Sequence, residues 1–308
     1  MTFDDRTLNG LGVLAAVVKS RSFALAGRSL NMSQSGVSRA IARLEERLGV
    51  RLLERTTRAV ALSEEGRRLY EQIVPLLSGL EEAAASVATA KVAVRGTLRV
   101  NMDPFISQLI LGSQLSQFLK QFPALKIELI TRDRLGDLVA EGFDLAIRFG
   151  EPRPSALVAR KLLDTRVVTV ASPAYLKKAG RPIHPSELEE GRHRLIDFRD
   201  PETGRAYEWA FRQGRKEIEI TSNAQLLLSD VATIHAVCLA GYGIAQLLEL
   251  GIESLIESGR LDIIFPDWLD ERFPLYALHP SRNYLPLKTR AFLDFVITTV
   301  KSSGSGSR

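Results

Sequence analysis

Hydrophobic positions recur at helical spacing three times within the first fifty residues. Leu8, Leu11, Leu14, Ala15 and Val18 fall three and four apart, which predicts a helix with a single apolar face. Ser22 is placed to cap a second, shorter helix whose apolar side holds Phe23, Ala26 and Leu30, with the small Gly27 beside them. A polar link, Asn31-Met32-Ser33, follows. Ser33 can cap a third helix whose buried stripe is Val37, Ile41, Leu44 and Leu48, with Gly49 as its stop signal. Two short helices joined by a tight polar link, the second amphipathic, form a helix-turn-helix pattern. After Gly49, apolar and polar residues alternate on either side of Thr56 and Thr57, which predicts a β-hairpin, the wing of a winged helix-turn-helix.

Beyond the hairpin, residues 64–90 read as one long helix. Leu69, Ile73, Leu76, Leu80, Ala83 and Val87 trace a heptad seam, so this linker helix is expected to pair with a second chain, with Pro75 as a kink. The run 91–96 ends the helix and forms a hinge. Strands and helices then alternate. Strands are expected at 97–102, 125–131 and 143–149, with helical stretches near 106–121 and 133–141. A second series of strands lies at 166–172, 194–198, 217–221 and 243–247, with a helix through 229–241, and the chain closes with a strand and a terminal helix. Such alternation predicts parallel sheets covered by helices, an α/β body. The expected division is 1–62 for the winged helix-turn-helix module, 63–90 for the linker helix and 91–302 for the body. Within the body, one subdomain takes 96–165 and 268–302 and the other 166–267. Residues 303–308 read as a flexible tail.

Charge sharpens this picture. The net charge is +5, and residues 1–62 hold 10 Lys/Arg against 5 Asp/Glu, so the rest of the chain is neutral and all the positive excess sits in the N-terminal fifth. That is the footprint of a polyanion-binding module on a neutral body. The sole cysteine, Cys238, lies in an apolar run and reads as a core thiol. With no internal disulfide available to it, the chain fits a reducing cytoplasm. No apolar stretch is long enough to span a membrane, and the acidic, polar start does not read as a signal peptide. His184, His193, His235 and His279 are scattered without metal-ligand spacing, and no phosphate-binding loop, nucleophile elbow or zinc-protease motif occurs. An enzyme is therefore not expected, and no cofactor or metal is implied.

The start of the third helix carries the candidate chemistry. Gln34, Ser35, Ser38 and Arg39 are the short or long hydrogen-bonding side chains that a recognition helix presents to a major groove, with Ser33 at its cap. A merely solvated face would carry more Glu and Lys. Arg55, Thr56, Thr57 and Arg58 lie at the hairpin tip, where guanidinium groups can reach phosphates or the minor groove.

The block from Ser22 to Gly66 closely resembles the N-terminal domain of LysR-type transcriptional regulators. The resemblance rests on Ser22-Phe23, Leu30, Ser33-Gln34-Ser35, Ser38-Arg39, Leu44-Glu45, Leu48-Gly49, Leu53, Arg55, Leu62 and Gly66. Leu14 and Gly27 depart from it, at packing positions. The body resembles the family's effector-binding region, with two α/β subdomains built like a periplasmic binding protein. The resemblance implies double-stranded operator DNA, a homodimer or homotetramer, and RNA polymerase as partners. It also implies a small-molecule effector in the cleft between the subdomains. Ligands in such folds bind beyond the carboxyl ends of strands. The candidates there are Asp103, Phe105, Ser107, Thr131, Arg132, Arg148 and Phe149, with Phe198, Arg199 and Asn223 from the other subdomain. Arg132, Arg148 and Arg199 fit an anionic metabolite, or equally ion pairs bridging the subdomains. Phe105 stands where the family often has a small hydroxyl residue, which points to a more apolar ligand or to none.

Overall fold

The computed structural model describes residues 5–55, 60–88, 94–269, 271–280 and 285–304. Helices α1 (Asp5–Ser20), α2 (Phe23–Ser29) and α3 (Gln34–Leu48) pack on one another around a shared apolar core. Their ends form as the sequence requires. Ser22 Oγ accepts from Leu25 N at 3.3 Å, Ser33 Oγ accepts from Gly36 N at 3.1 Å, and Gly49 closes α3 at φ 70°. The apolar face of α1 keeps most of the expected stripe and is broader than it. Val13 and Val17 are buried with Leu11, Leu14 and Val18, whereas Leu8 is 40% exposed. The reason is that α1 is covered on two sides, by α3 and by the next long helix, so its apolar face is broader than one stripe. Leu30, at the end of α2, is likewise partly exposed, at 36%.

Strands β1 (Leu53–Arg55) and β2 (Val60–Leu62) pair antiparallel, Leu53 opposite Leu62. The hairpin tip, with Thr56, Thr57 and Arg58, lies outside the described residues. Helix α4 (Glu64–Ala88) follows and runs through Pro75 without a break; one missing backbone bond does not end a helix whose flanking turns are intact. Its expected seam divides in two. Leu69 and Ile73 pack into the core of their own module, while Leu76 and Leu80 are 60% and 59% exposed.

The body begins with β3 (Gly96–Met102). The expected helix near 106–121 is present as three pieces, a π-turn at Ile106–Leu111, a 3-10 turn at Gly112–Gln114 and α5 (Leu115–Gln121). Then come β4 (Leu125–Thr131), β5 (Leu145–Phe149) and the long β6 (Val158–Ala171). The helix expected near 133–141 is absent. Gly136 and Gly142 both sit at φ 67°, and Asp137 Oδ1 takes the Ala140 N–H at 2.9 Å, so the segment folds as successive turns. The second subdomain comprises α6 (Pro173–Ala179), β7 (Leu195–Phe198), β8 (Trp209–Gln213), β9 (Lys216–Ile220), β10 (Leu226–Leu228), α7 (Val231–Leu239), β11 (Ile244–Leu248), α8 (Glu253–Glu257) and β12 (Asp262–Ile264). Strand β13 (Arg272–His279) returns to the first subdomain, and α9 (Leu287–Gly304) covers it, reaching two residues into the segment expected to be tail.

The strand order is β10-β7-β11-β6-β13-β5-β3-β4, with β12 on β6. The β3–β4, β3–β5, β7–β10 and β7–β11 pairs are parallel, as the alternating pattern requires. Strands β6 and β13 run antiparallel to their neighbours and pair with each other from Val158 to Arg166. They form the two-strand bridge between a β4-β3-β5 half and a β10-β7-β11 half. The cleft opens beside that bridge, at the carboxyl ends of the parallel strands.

Candidate DNA interface and ligand cleft

The first turn of α3 is a polar, outward-facing surface. Ser33, Gln34, Ser35, Ser38 and Arg39 are all exposed, while Val37, Ile41 and Leu44 on the opposite side are buried. Arg39 Nε donates to Ser35 O at 3.3 Å, and the Ser33 and Ser35 hydroxyls lie 3.1 Å apart. These contacts orient the side chains without consuming them. The first turn carries no acidic residue, so nothing opposes the positive end of the helix dipole. Of the expected wing residues, the Arg55 backbone belongs to β1.

The cleft is a cavity of about 460 Å³ between the two halves of the body. Six expected residues line it, Asp103, Phe105, Arg148, Phe149, Phe198 and Arg199. Ser107, Thr131, Arg132 and Asn223 do not. Ser107 follows the strand end by too many residues and enters the π-turn, and Thr131 and Asn223 face solvent. Arg132 points the other way, paired with Glu141 and lying over the Phe143 ring at 5.4 Å. Tyr207, Trp209, Glu271 and Phe273 line the cleft and were missed in the sequence, because they sit on a loop, an inner hairpin and a bridge strand, away from the strand ends that topology marks.

Burial raises the Asp103 carboxyl above its usual range against the opposing pull of Arg148, and its Oδ1 accepts from Phe105 N at 2.9 Å. Burial likewise lowers Arg148, with Asp103 and Asp133 opposing. The Arg148 guanidinium donates to the carbonyls of Arg132 and Asp133. Tyr207 is pushed up to about 12 by burial and then by the charges of Asp200 and Asp103. Trp209 Nε1 donates to the buried Asp197 Oδ1 at 2.9 Å, which also accepts from Ser222 Oγ at 2.7 Å, so this wall of the cleft is fixed.

A third feature joins the two sites. The 132–144 segment starts in the cleft, where Asp133 and Arg134 line it, and ends against the N-terminal module. Glu141 pairs with Arg132 and, at 3.5 Å, with Arg21 just after α1; Asp137 pairs with Arg67 of α4; and Val139 is buried in the core of the N-terminal module. Tyr70 of α4 is buried here too, its phenol raised by desolvation and then by Asp144.

A helix-turn-helix with an exposed polar recognition surface, carried on a body of two α/β halves around a cleft, defines a ligand-responsive DNA-binding protein. Two family models account for nearly all of the chain. "Bacterial regulatory helix-turn-helix protein, lysR family" matches residues 8–67, and "LysR substrate binding domain" matches residues 92–301. The chain therefore belongs to the LysR family of transcriptional regulators. It is 34% identical over 289 residues to the uncharacterized HTH-type transcriptional regulator YcaN of Escherichia coli, covering 92% of each chain. It is 32% identical over 291 residues to the HTH-type transcriptional regulator PtxR of Pseudomonas aeruginosa, covering 93% of this chain and 91% of that one. The solved structure of the LysR-type regulator CrgA from Neisseria meningitidis is 30% identical, with a TM-score of 0.60, over 99% of this chain and all of that one (100%). The chain is accordingly a regulator with a DNA-binding and an effector-binding domain, and not an enzyme. Among the described residues, no helix is long and apolar enough to cross a membrane.

Proposed function

We propose that Gln34, Ser38 and Arg39 read operator bases, that Ser33, Ser35 and the wing residues Arg55 to Arg58 hold the DNA backbone, and that the cleft binds the effector. The carrying observation is the exposed polar turn of α3 on a module tied by ion pairs to a segment lining the cleft. The effector residues are Asp103, Phe105, Arg148, Phe149, Phe198 and Arg199, joined by Tyr207, Trp209 and Phe273. Two chains pair along α4 through Leu76 and Leu80, which its own module leaves exposed, and such pairing supports a homodimer or a tetramer of two dimers acting in the cytoplasm. Two linked recognition helices then read paired half-sites, next to RNA polymerase.

Fluorescence anisotropy on the DNA upstream of the protein's own gene, against scrambled DNA of equal length at two salt concentrations, tests the first part. Preference for the native fragment that survives higher salt is expected. Arg39→Ala should cost about 1–3 kcal/mol at one base position, whereas a loss spread evenly over all sequences would make Arg39 a phosphate contact. Equal binding to both fragments, lost together with salt, would refute specific recognition there. Ser229→Trp, which fills the cleft from an exposed position on its lining, tests the second part, and a shift in operator affinity is expected.

A further inference from the structure

We propose that the cleft selects an uncharged aromatic ligand and rejects the carboxylate ligand that its arginines first suggest. This rests on reading the cleft as the effector site and goes further by naming what enters it.

The apolar part of the wall is a continuous belt of rings. Phe105 meets Phe149 edge-on at 5.5 Å, and Phe149 stacks on Phe273 at 5.9 Å and 19°. Phe273 meets the edge of Tyr207 at 6.1 Å, and Tyr207 stacks on Phe198 at 6.0 Å and 4°. The belt starts in one subdomain, crosses the bridge strand β13 and ends in the other. Aromatic rings pair edge-to-face or offset at centroid separations of about 4.5–7 Å. A ligand ring inserted between these walls continues that pattern and touches both halves at once.

The charged part of the wall does not form an anion site. Arg148 is spent on two backbone carbonyls between Asp103 and Asp133. Arg134 reaches across the cleft and donates from Nε to Pro201 O at 2.6 Å. Arg199 is turned onto Gly204 O at 3.1 Å. Arg132 is outside, held by Glu141. Against these three lining guanidiniums stand four lining carboxylates, Asp103, Asp133, Glu208 and Glu271. A ligand carboxylate would be desolvated among these acids, while Arg148 and Arg134 already hold backbone carbonyls and Arg199 holds one through its Nε. An uncharged ring bearing a hydroxyl or amine can instead donate to Asp103.

Two dyes sharing one aromatic skeleton separate the possibilities. N-phenyl-1-naphthylamine is neutral, and 8-anilino-1-naphthalenesulfonate adds one negative charge. Each is titrated by fluorescence into the full-length protein, and the cleft signal is taken as the part lost in Tyr207→Ala. Tyr207 is 39% exposed, so its removal leaves the buried core intact. Saturable binding of the neutral dye, at least about tenfold tighter than the sulfonate, is expected. Asp133→Asn should narrow that gap about fivefold by removing one nearby negative charge. Sulfonate binding in the cleft as tight as the neutral dye, or no saturable binding of the neutral dye, would overturn the proposal. The effector reading is judged separately. If Ser229→Trp shifts operator affinity while the neutral dye fails to bind, the ligand class is wrong and the effector site stands. If the dye binds and Ser229→Trp leaves the operator untouched, the cleft takes aromatic ligands but does not govern DNA binding.

Discussion

Removing the Glu45 carboxylate should release the wing while leaving the recognition helix in place. Glu45 Oε1 accepts from both Leu52 N at 2.8 Å and Leu53 N at 3.1 Å, tying the start of β1 to the last turns of α3. Leu52 is fully buried and Leu53 is 6% exposed, so water cannot easily replace the lost acceptor. The peptide between them is fixed on its other side as well, since Leu52 O accepts from Ser63 N at 3.0 Å. Hydrogen bonds to a charged group are worth about 1.5–3 kcal/mol each. Because Glu45 is half-buried and some water reaches it, the pair is worth about 2–4 kcal/mol in Glu45→Ala rather than the full sum. At about 1.4 kcal/mol per decade, amide exchange at Leu52 and Leu53 should quicken roughly 30- to 1000-fold. Glu45→Gln keeps the carbonyl oxygen and loses only the charge, at about 1 kcal/mol, or roughly fivefold. Hydrogen exchange of the full-length protein, read by mass spectrometry over residues 50–55, reports this local opening without requiring a single global transition. Exchange in Glu45→Ala within about threefold of the unsubstituted protein would refute the tether.

Three further outcomes follow from packing and ionisation. An alanine at Gly66 would place its Cβ 2.0 Å from Leu52 O, and one at Gly27 2.6 Å from Met32 O. Gly66→Ala should cost about 3 kcal/mol or more and Gly27→Ala about 1–3 kcal/mol in urea unfolding, against about 1 kcal/mol for Gly49→Ala, where only the positive φ is strained; a Gly66→Ala as mild as Gly49→Ala would contradict the close approach. The Cys238 thiol is fully buried and pushed up to about 12 by burial, so it should resist a disulfide reagent at pH 8 until the protein unfolds, and rapid stoichiometric labelling of the native protein would count against this. Burial holds His235 below the ordinary value, with Asp230 opposing, so below about pH 6.5 the unfolded chain binds the proton that the folded chain refuses. Stability should therefore fall as pH drops through that range, and His235→Gln should flatten the slope; an unchanged slope would assign the effect to other groups such as His193, which is displaced the same way.

What could be read from sequence was local. The caps Ser22 and Ser33, the stop at Gly49 and the buried Val37-Ile41-Leu44 stripe are short-range features, and each formed as the spacing required. Parallel strand ends are local too, which is why Asp103, Phe105, Arg148 and Phe149 reached the cleft. Tertiary decisions were not legible. Helical periodicity in α4 cannot say which partner a face meets, so Leu69 and Ile73 were given to a second chain when their own module covers them. Residues 133–141 carry enough apolar positions to suggest a helix, but Gly136, Asp137 and Gly142 each favour a turn. That single difference turns Arg132 from a cleft residue into a neighbour of the DNA-binding module. Tyr207 and Phe273 carry no motif at all, and only the meeting of β13 with the 199–207 loop makes them part of one wall.

The turn segment is what makes the proposed regulation energetically sensible. A ligand can shift an equilibrium only by its difference in affinity for the two states, and coupling between sites is commonly about 1–3 kcal/mol. A contact that holds the DNA-binding module must therefore be weak enough for such a difference to break. Arg21 is 52% exposed in its pair with Glu141, and the two side chains of the Arg67–Asp137 pair are 34% and 37% exposed, so each is worth at most about 1 kcal/mol. Val139 adds one buried side chain to the same contact. A latch of this size is commensurate with one small molecule in the cleft. Moreover, Arg134 donates from this segment to the Pro201 and Glu202 carbonyls of the other subdomain, so the turns that touch the module are also tied across the cleft. A fully buried ion pair at the same place would have held the module against any such ligand, and a module with no contact would have had nothing to release.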